Sequence, residues 1–268
     1  AVGCAGDHPL RTAGGRDAVI TLRLVGIASG DPGHLTPEAA AALSGSDLLL
    51  LPRKGTEKAE LADLRRALVA RLPRAPRVAE FDLPVRDAGT PDYLDGVNAW
   101  HDAIAAAWAR EVSRHLPGGG SVALMVWGDP ALYDSTLRIA GRLPGCGLEV
   151  TVEVVPGLSS LQLLASAFAI PLATLGAPFL VTTGRRLREG GWPAGVDTVA
   201  VMLDGTCAFR SLDPSGLTIY WGAYLGMEGA LLRSGPLATT GPAIVALRAE
   251  ARAARGWIMD TYLLRRDG

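Results

Sequence analysis

The sequence predicts an α/β protein of two domains, each a β-sheet flanked by helices. Three observations lead to this fold class. The chain of 268 residues is longer than one average domain, and 49% of its residues are hydrophobic. Apolar runs of strand length also alternate with segments of helical periodicity. Strands and helices that alternate at this spacing form a mostly parallel sheet with helices on both faces.

The first domain is predicted over residues 19–155, behind an N-terminal tail, residues 1–18, that we expect to be disordered. It opens with a strand, VITLRLVG, and a helix that begins at Pro37 behind a Thr36 cap. The apolar run Asp47–Leu51 is typical of a buried parallel strand, and the segment EKAELADLRRALVARL after it has leucines at helical spacing. The later elements are the strand RVAEFDLPV, a helix from about residue 91 to 116, the strand SVALMVWG, the helix STLRIAGRL and the strand LEVTVEVV.

The second domain is predicted over residues 156–268, where glycine and proline separate shorter elements and favour a mixed sheet. Its predicted strands are FLVTTG, DTVAVML, LTIYWG and AIVALRA, and its predicted helices are SSLQLLASAFA and GMEGALLRS. The last segment, ARGWIMDTYLLRR, is ambiguous between helix and strand because its apolar residues fit both periods.

Composition excludes several function classes. The net charge of -1 leaves no basic field that would gather nucleic acid. Cys4, Cys146 and Cys207 are widely spaced and the four histidines show no metal-ligand spacing, so we expect neither a disulfide framework nor a metal site. No apolar run approaches the ~20 residues of a membrane span. We therefore expect a cytoplasmic protein.

Small residues follow three of the predicted strands. The loops are Gly26–Pro32, Trp127–Thr136 and Val154–Gln162. Because ligands bind outside the carboxyl ends of parallel strands, these loops predict one shared site. None of them is a GxGxxG or GxxxxGK[ST] phosphate loop, so the residues alone predict a compact organic ligand rather than a dinucleotide.

The segments GIASGDPGHLT, WGDPALYDSTLRI, EVVPGLSSLQLLA and TTGRRL resemble, in order and separation, the signature segments of the tetrapyrrole (precorrin) methylase family. The resemblance covers roughly residues 20–268. It implies two α/β domains, S-adenosylmethionine bound in the cleft between them, and a homodimer. A narrower resemblance, carried by WHDAIAAAW, GGWPAGVDTVAVMLDGTCAF, YWGAYLG and GWIMDTYLLRR, is to the members that methylate carbon 1 of precorrin-5 and release its acetyl group as acetate.

The family's contacts with the methyl donor map onto matching positions of this sequence. They lie in the loop at Ser29, in segments that follow later strands, and in the segment Thr240 to Ala243. The positions are Ser29, Trp127, Gly128, Asp129, Leu132, Tyr133, Ser159, Ser160, Met202, Leu203, Thr240, Gly241, Pro242 and Ala243. Ser29 stands where the family usually has a proline.

Methyl transfer from a sulfonium requires mainly alignment and the exclusion of water, but the release of acetate requires a positioned acid or base. Asp31, Tyr133 and Asp134 are the candidates, since they lie in the predicted site loops. Each has a structural alternative. Asp31 fits a turn or helix cap, Asp134 fits a cap of the helix STLRI, and Tyr133 could pack on adenosine.

A tetrapyrrole with acetate and propionate arms requires cationic groups around its site, and arginine forks suit carboxylates best. Arg185, Arg186 and Arg188 follow one strand, and Arg53 and Lys54 follow another. The alternative for each set is a solvated surface turn.

Other functions remain open at this point. One is a methyltransferase of the same fold that acts on another precorrin, on diphthamide or on ribosomal RNA. Another is a tetrapyrrole carrier without catalysis. A plain nucleotide-binding module is the third, although the chain lacks both phosphate-binding fingerprints.

Overall fold

The computed structural model describes residues 19–53, 59–87, 89 and 92–266. The chain divides into two compact units, the first ending at Gly157 and the second beginning at Leu158. The tail predicted for residues 1–18 lies outside the described residues.

The first unit contains a parallel sheet in the strand order β3-β2-β4-β1-β5. The prediction of a parallel sheet is therefore confirmed. The Thr36 cap is present as well, because its hydroxyl oxygen accepts the Ala39 amide at 3.0 Å. The elements are β1 (Ile20–Gly26), α1 (Pro37–Ser44), β2 (Leu48–Arg53), α2 (Ala59–Val69), β3 (Arg77–Asp82), α3 (Tyr93–His115), β4 (Gly120–Val126), α4 (Thr136–Ala140) and β5 (Val150–Val155).

The helices of the first unit cover both faces of its sheet. Leu43 of α1 and Leu68 of α2 belong to the buried cluster on one face, with Val25 of β1. Trp108 of α3 and Ile139 of α4 belong to the cluster on the other face. The neighbouring strands β1 and β4 are thus followed by helices on opposite faces. Their carboxyl ends form a topological switch point, where ligands of open α/β sheets bind.

The second unit contains a mixed sheet in the order β6-β7-β10-β8-β9, as predicted. β6 and β7 are parallel and the other neighbours are antiparallel. The elements are α5 (Ser160–Phe168), β6 (Phe179–Thr183), α6 (Gly184–Gly190), β7 (Thr198–Met202), β8 (Leu217–Ala223), β9 (Leu231–Pro236), α7 (Leu237–Arg255) and β10 (Asp260–Arg266).

Two element predictions in the second unit are wrong. AIVALRA is not a strand but the middle of α7, and GMEGALLRS is not a helix but a turn followed by β9. The apolar run of AIVALRA fits either period, and its place in a 19-residue helix is visible only with its flanks. β9 forms because its backbone pairs with the edge of β8. This antiparallel pairing outweighs the helical propensity of the local sequence.

The ambiguous last segment divides at a glycine. α7 ends at Arg255, and Gly256 adopts the left-handed conformation with φ 74 that closes a helix. β10 then runs between β7 and β8, with its residues Thr261 to Leu264 fully buried. No helix in the described part of the chain is long and apolar enough to cross a membrane.

Candidate functional site

The loops after β1 and β4 hydrogen-bond to each other at the switch point. The Gly128 amide donates to the Ala28 carbonyl oxygen at 2.8 Å, and the Ala28 amide donates to the Gly128 carbonyl oxygen at 3.3 Å. This antiparallel bridge joins two strands that run parallel up to that point. The GIASGDP and WGDPALYD loops therefore form one rim, as the sequence predicted.

The loop after β5 packs against the same rim, backbone against backbone. A Cβ atom added to Gly157 would lie 2.3 Å from the Gly128 carbonyl oxygen, and one added to Gly26 would lie 2.6 Å from the Gly157 nitrogen. Only glycine fits at these positions without a shift of the backbone. The three predicted loops are thus in mutual contact, with no side chain between Gly26, Gly128 and Gly157.

Asp129 holds this arrangement together. One carboxylate oxygen accepts the Ala131 amide at 2.8 Å and the other accepts the Gly157 amide at 2.9 Å. Its predicted role was contact with the methyl donor. The geometry gives the carboxylate a further role, because it binds the loop after β4 to the loop after β5.

Left-handed backbone at residues other than glycine marks the ends of several strands. Ala28 (φ 50) follows β1 and Tyr133 (φ 52) lies in the loop after β4, while in the second unit Leu203 (φ 53) directly follows β7. Each such residue costs of order 1–3 kcal/mol and is retained mainly where function requires it. Tyr133 and Leu203 are also exposed, at 42% and 66% of their surface. Both belong to the predicted donor contacts.

The three candidates for acid or base differ in what their side chains bind. Asp31 accepts the Gly33 amide at 2.7 Å and caps a short 3-10 turn. Asp134 accepts the Thr136 amide at 2.6 Å and the hydroxyl of the same residue, so it binds the first amide of α4 from the position before the N-cap residue Ser135. The structural alternatives considered for both carboxylates are therefore present in the molecule. Tyr133 lies beside Asp134 with its side chain exposed.

Trp127 links the loop after β1 to α2. A Cβ on Gly30 would lie 2.9 Å from the Trp127 ring. The guanidinium of Arg65, a residue of α2, lies 4.6 Å from the centroid of that ring. Of the neighbouring predicted contacts, Ser29 is buried and Leu132 is half-buried. The indole is thus held between a loop and a cation at the carboxyl end of the sheet.

The predicted contacts in the second unit also lie at element boundaries. Ser159 caps α5, and both its amide and its hydroxyl donate to the Gln162 side-chain oxygen at 2.7 Å, while Ser160 is the first residue of that helix. Met202 ends β7 and Leu203 follows it. Thr240, Gly241, Pro242 and Ala243 occupy the first two turns of α7.

The predicted substrate arginines are all exposed. Arg53 pairs with Asp82 at 3.0 Å, and Lys54 lies outside the described residues. Arg185, Arg186 and Arg188 lie on the short helix α6, directly after β6. Arg188 donates to the Thr206 hydroxyl at 2.6 Å.

Sequence reasoning missed a buried polar cluster in the second unit. Asp204 accepts the Thr206 and Ala208 amides and the Tyr262 hydroxyl, and a Cβ on Gly184 would collide with its carboxylate. It therefore fixes the backbone next to Leu203 and the start of α6. The available signal in the sequence was the carboxylate of Asp204 directly after the apolar strand DTVAVML.

Sequence reasoning also missed Arg65, which is only 8% exposed. The signal was its position on the leucine stripe of α2, four residues after Leu61 and three before Leu68, where a charge is unexpected. Within the described residues, no cluster of histidine, cysteine, aspartate or glutamate is placed to hold a metal ion.

Comparison with known proteins gives a consistent set of likenesses. The sequence model of the tetrapyrrole (corrin/porphyrin) methylases matches residues 21–240. The chain is 44% identical over 248 residues to the precorrin-6A synthase (deacetylating) of a Sinorhizobium species, which covers 91% of this chain and 95% of that protein.

Two solved structures extend these likenesses to the fold. A cobalamin synthesis related protein (CobF) from Corynebacterium diphtheriae superimposes with a TM-score of 0.81 at 32% identity, covering 94% of this chain and 100% of that one. The uroporphyrin-III C-methyltransferase of Thermus thermophilus, complexed with S-adenosyl homocysteine, shares the fold at a TM-score of 0.54 and 21% identity, covering 91% of this chain and 92% of that one.

Proposed function

The chain belongs to the tetrapyrrole methylase family, and we propose that it is an S-adenosylmethionine-dependent C-methyltransferase of cobalamin biosynthesis. Its substrate is precorrin-5, which it methylates at carbon 1 with loss of the acetyl group as acetate, giving precorrin-6A. The near-complete coverage of the Sinorhizobium precorrin-6A synthase supports this substrate over other tetrapyrroles.

The observation that carries the proposal is the contact of three glycine loops at the switch point of the first sheet. Gly26 and Gly157 leave no room for a Cβ atom, and the nearest atoms include the Gly128 carbonyl oxygen, so backbone groups line the rim that the loops form. Such a surface lets a ligand approach main-chain donors and acceptors closely. It fits a compact donor of the kind that the family uses.

S-adenosylmethionine, when bound, supplies a methyl group already activated by the sulfonium. Residues after β1, β4 and β7 would hold it: the loop at Ser29, Trp127 to Asp129, Leu132 and Tyr133, and Met202 and Leu203. Ser159, Ser160 and Thr240 to Ala243 complete the proposed set. Their task is to orient the donor and to exclude water, since alignment alone can account for much of the rate.

Release of acetate requires a group that moves a proton at the attacking water. Of Asp31, Asp134 and Tyr133, we favour the hydroxyl of Tyr133. Tyr133 lies in the loop after β4, its side chain is 42% exposed, and its backbone adopts the left-handed conformation that is often found at functional sites. Arg185, Arg186 and Arg188 are the proposed partners of the substrate carboxylates, because they are exposed arginine forks at a strand end.

We also propose that the protein acts in the cytoplasm as a homodimer that binds neither nucleic acid nor membrane. The net charge of -1 argues against a nucleic-acid partner, and the lack of a disulfide at Cys146 and Cys207 supports a reducing compartment. Light scattering on the purified chain tests the dimer. A mass near 27.9 kDa would contradict it.

The central experiment is calorimetric titration with S-adenosylhomocysteine, followed by turnover of precorrin-5 with detection of methylated product and acetate. Gly128→Arg should abolish binding, because φ 68 strains any residue with a Cβ atom and the strain falls in the loop that forms the rim. Gly145→Arg is the matched control, since nothing lies within 4 Å of its Cβ position.

Each outcome has one meaning. A folded wild type that binds no S-adenosylhomocysteine contradicts the methyltransferase proposal and favours a tetrapyrrole carrier. Donor binding without turnover of precorrin-5, but with turnover of another precorrin, keeps the chemistry and changes the substrate.

A further inference from the structure

Arg65 is a buried cation that contacts no carboxylate of the described residues. Only 8% of its surface is exposed, and its Nε atom is buried without a hydrogen-bond partner. Within the described part of the chain its one hydrogen bond is long, 3.4 Å, from Nη1 to the Leu61 carbonyl oxygen of its own helix. Among the described residues it enters no ion pair. Buried charges in proteins are normally paired, because desolvation without compensation is costly.

The neighbouring arginines behave differently. Arg53 and Arg66 line the same shallow depression as Arg65. Arg53 pairs with Asp82, and Arg66 pairs with Asp63 and Glu80. The two exposed cations are therefore neutralised, while the buried one is left with an unused donor edge.

The surroundings of Arg65 favour a planar anion rather than a structural role alone. Its guanidinium lies over the ring of Trp127, which belongs to the donor-site rim, while the Nε–H group has no hydrogen-bond partner in the part of the chain that the structure describes. Burial lowers the pKa of Arg65 to about 10, and the Asp134 carboxylate opposes that change only in part. The group remains protonated at neutral pH, and no carboxylate of the described residues is in contact with it.

We propose that Arg65 binds a carboxylate of a ligand at this rim. The inference rests on the proposed function, which supplies two sources of that group: the methionyl part of the methyl donor and the side arms of the tetrapyrrole. A guanidinium fork suits either one. Arg65 would then be a ligand-binding residue whose position Trp127 fixes.

Arg65→Met removes the charge and keeps the apolar stem, and Arg65→Lys keeps the charge but loses the fork. Arg66→Met is the matched control, because Arg66 is the next residue on α2 but is exposed and already paired. Loss of one charge-assisted carboxylate contact should weaken binding about 10- to 100-fold in Arg65→Met. Arg65→Lys should lose less, and Arg66→Met should stay within about twofold of the wild type.

Two readouts distinguish the sources of the carboxylate. If it belongs to the donor, the Kd for S-adenosylhomocysteine rises in Arg65→Met, and removal of the ligand's carboxylate weakens binding to the wild type but not to the variant. If it belongs to the tetrapyrrole, the KM for precorrin-5 rises at saturating donor while that Kd is unchanged. A folded Arg65→Met variant with both values within twofold of Arg66→Met overturns the inference.

A measurement on the wild type covers the case in which the variants do not fold. The Nε–H resonance of Arg65, assigned through its own side chain, should move downfield when the carboxylate ligand is added. If the resonance is unchanged when S-adenosylhomocysteine and precorrin-5 are both bound, the inference about Arg65 is overturned but the proposed function is not. A wild type that binds neither ligand contradicts the proposed function first, and the inference with it.

Discussion

The amide of Gly157 donates to the Asp129 carboxylate at 2.9 Å across two loops that follow different strands. The second oxygen of the same carboxylate accepts the Ala131 amide. One half-buried side chain therefore determines both the shape of the loop after β4 and its distance from the loop after β5. The donor site that we propose depends on this hydrogen-bonded link between the two loops.

Asp129→Ala should weaken binding of S-adenosylhomocysteine about 10-fold, because two backbone amides lose their acceptor and the loops can separate. Calorimetry measures the loss. Asp87→Ala is the control, since Asp87 accepts the Gly89 amide within one exposed turn but joins no second loop. Equal affinity in the two variants would contradict the role given to Asp129.

Gly157→Ala should abolish donor binding with only a moderate loss of stability. The added methyl group would lie 2.3 Å from the Gly128 carbonyl oxygen, so the rim must open to accept it. Gly145→Ala should bind normally, because its Cβ position is open. Paired titration and thermal unfolding check both variants, and tight binding by Gly157→Ala would show that the close contact is dispensable.

The parts of the fold that local chemistry determines could be predicted from the sequence. The Thr36 cap with Pro37 gave the start of α1, and the apolar run before Gly26 gave β1 with its site loop. Convergence of the loops followed from a general property of parallel strands. These features are determined by residues that are close to one another in the sequence.

Features that depend on distant partners could not be predicted. Ile244 lies in an apolar run that fits a strand, yet α7 continues through it. Arg65 and Asp204 acquire their roles only from Trp127, Gly184 and Tyr262, which are remote in sequence. The carboxylate of Asp134 could cap or catalyse, and the sequence alone allowed both.

Tyr133→Phe should lower the rate of acetate release about 100-fold while S-adenosylhomocysteine binding changes little, because only the proton-moving hydroxyl is lost. Single-turnover measurement of methylated product and acetate separates the two steps. Tyr220→Phe, a half-buried tyrosine of β8 that packs on Phe168, is the control. An unchanged rate of acetate release would transfer the role to Asp31 or Asp134, for which Asp→Asn variants are the next test.

Arg248→Met should destabilise the protein by about 3–5 kcal/mol, since Arg248 pairs with the buried Asp260 at 2.8 Å. The variant would leave that carboxylate with the Trp221 indole N–H but without the cation that neutralises it. Urea unfolding measures the change. Arg252→Met, one turn further along α7 and exposed, should be nearly neutral. A loss below 1 kcal/mol in Arg248→Met would mean that water replaces the guanidinium.

Tyr262 should make stability fall steeply at alkaline pH. Burial, and then the Asp204 carboxylate that accepts its hydroxyl, raise the pKa of Tyr262 far above its ordinary value. Above about pH 10 the unfolded chain releases the phenolic proton while the native protein retains it, so the contribution to stability is complete below pH 10 and declines above it.

The expected decline from this one group is about 1.4 kcal/mol per pH unit above pH 10, and Tyr262→Phe should remove it. Because the other titratable groups are the same in both proteins, the difference between the two slopes reports the ionisation of Tyr262. Urea unfolding of both proteins at pH 8 to 11.5 gives the two slopes. At pH 8 the variant should be the less stable by about 1 kcal/mol, since it lacks the hydrogen bond, and the difference should narrow and then reverse as the pH rises. Parallel slopes would mean that the hydroxyl ionises in the native protein as readily as in the unfolded chain, and that Asp204 does not hold it.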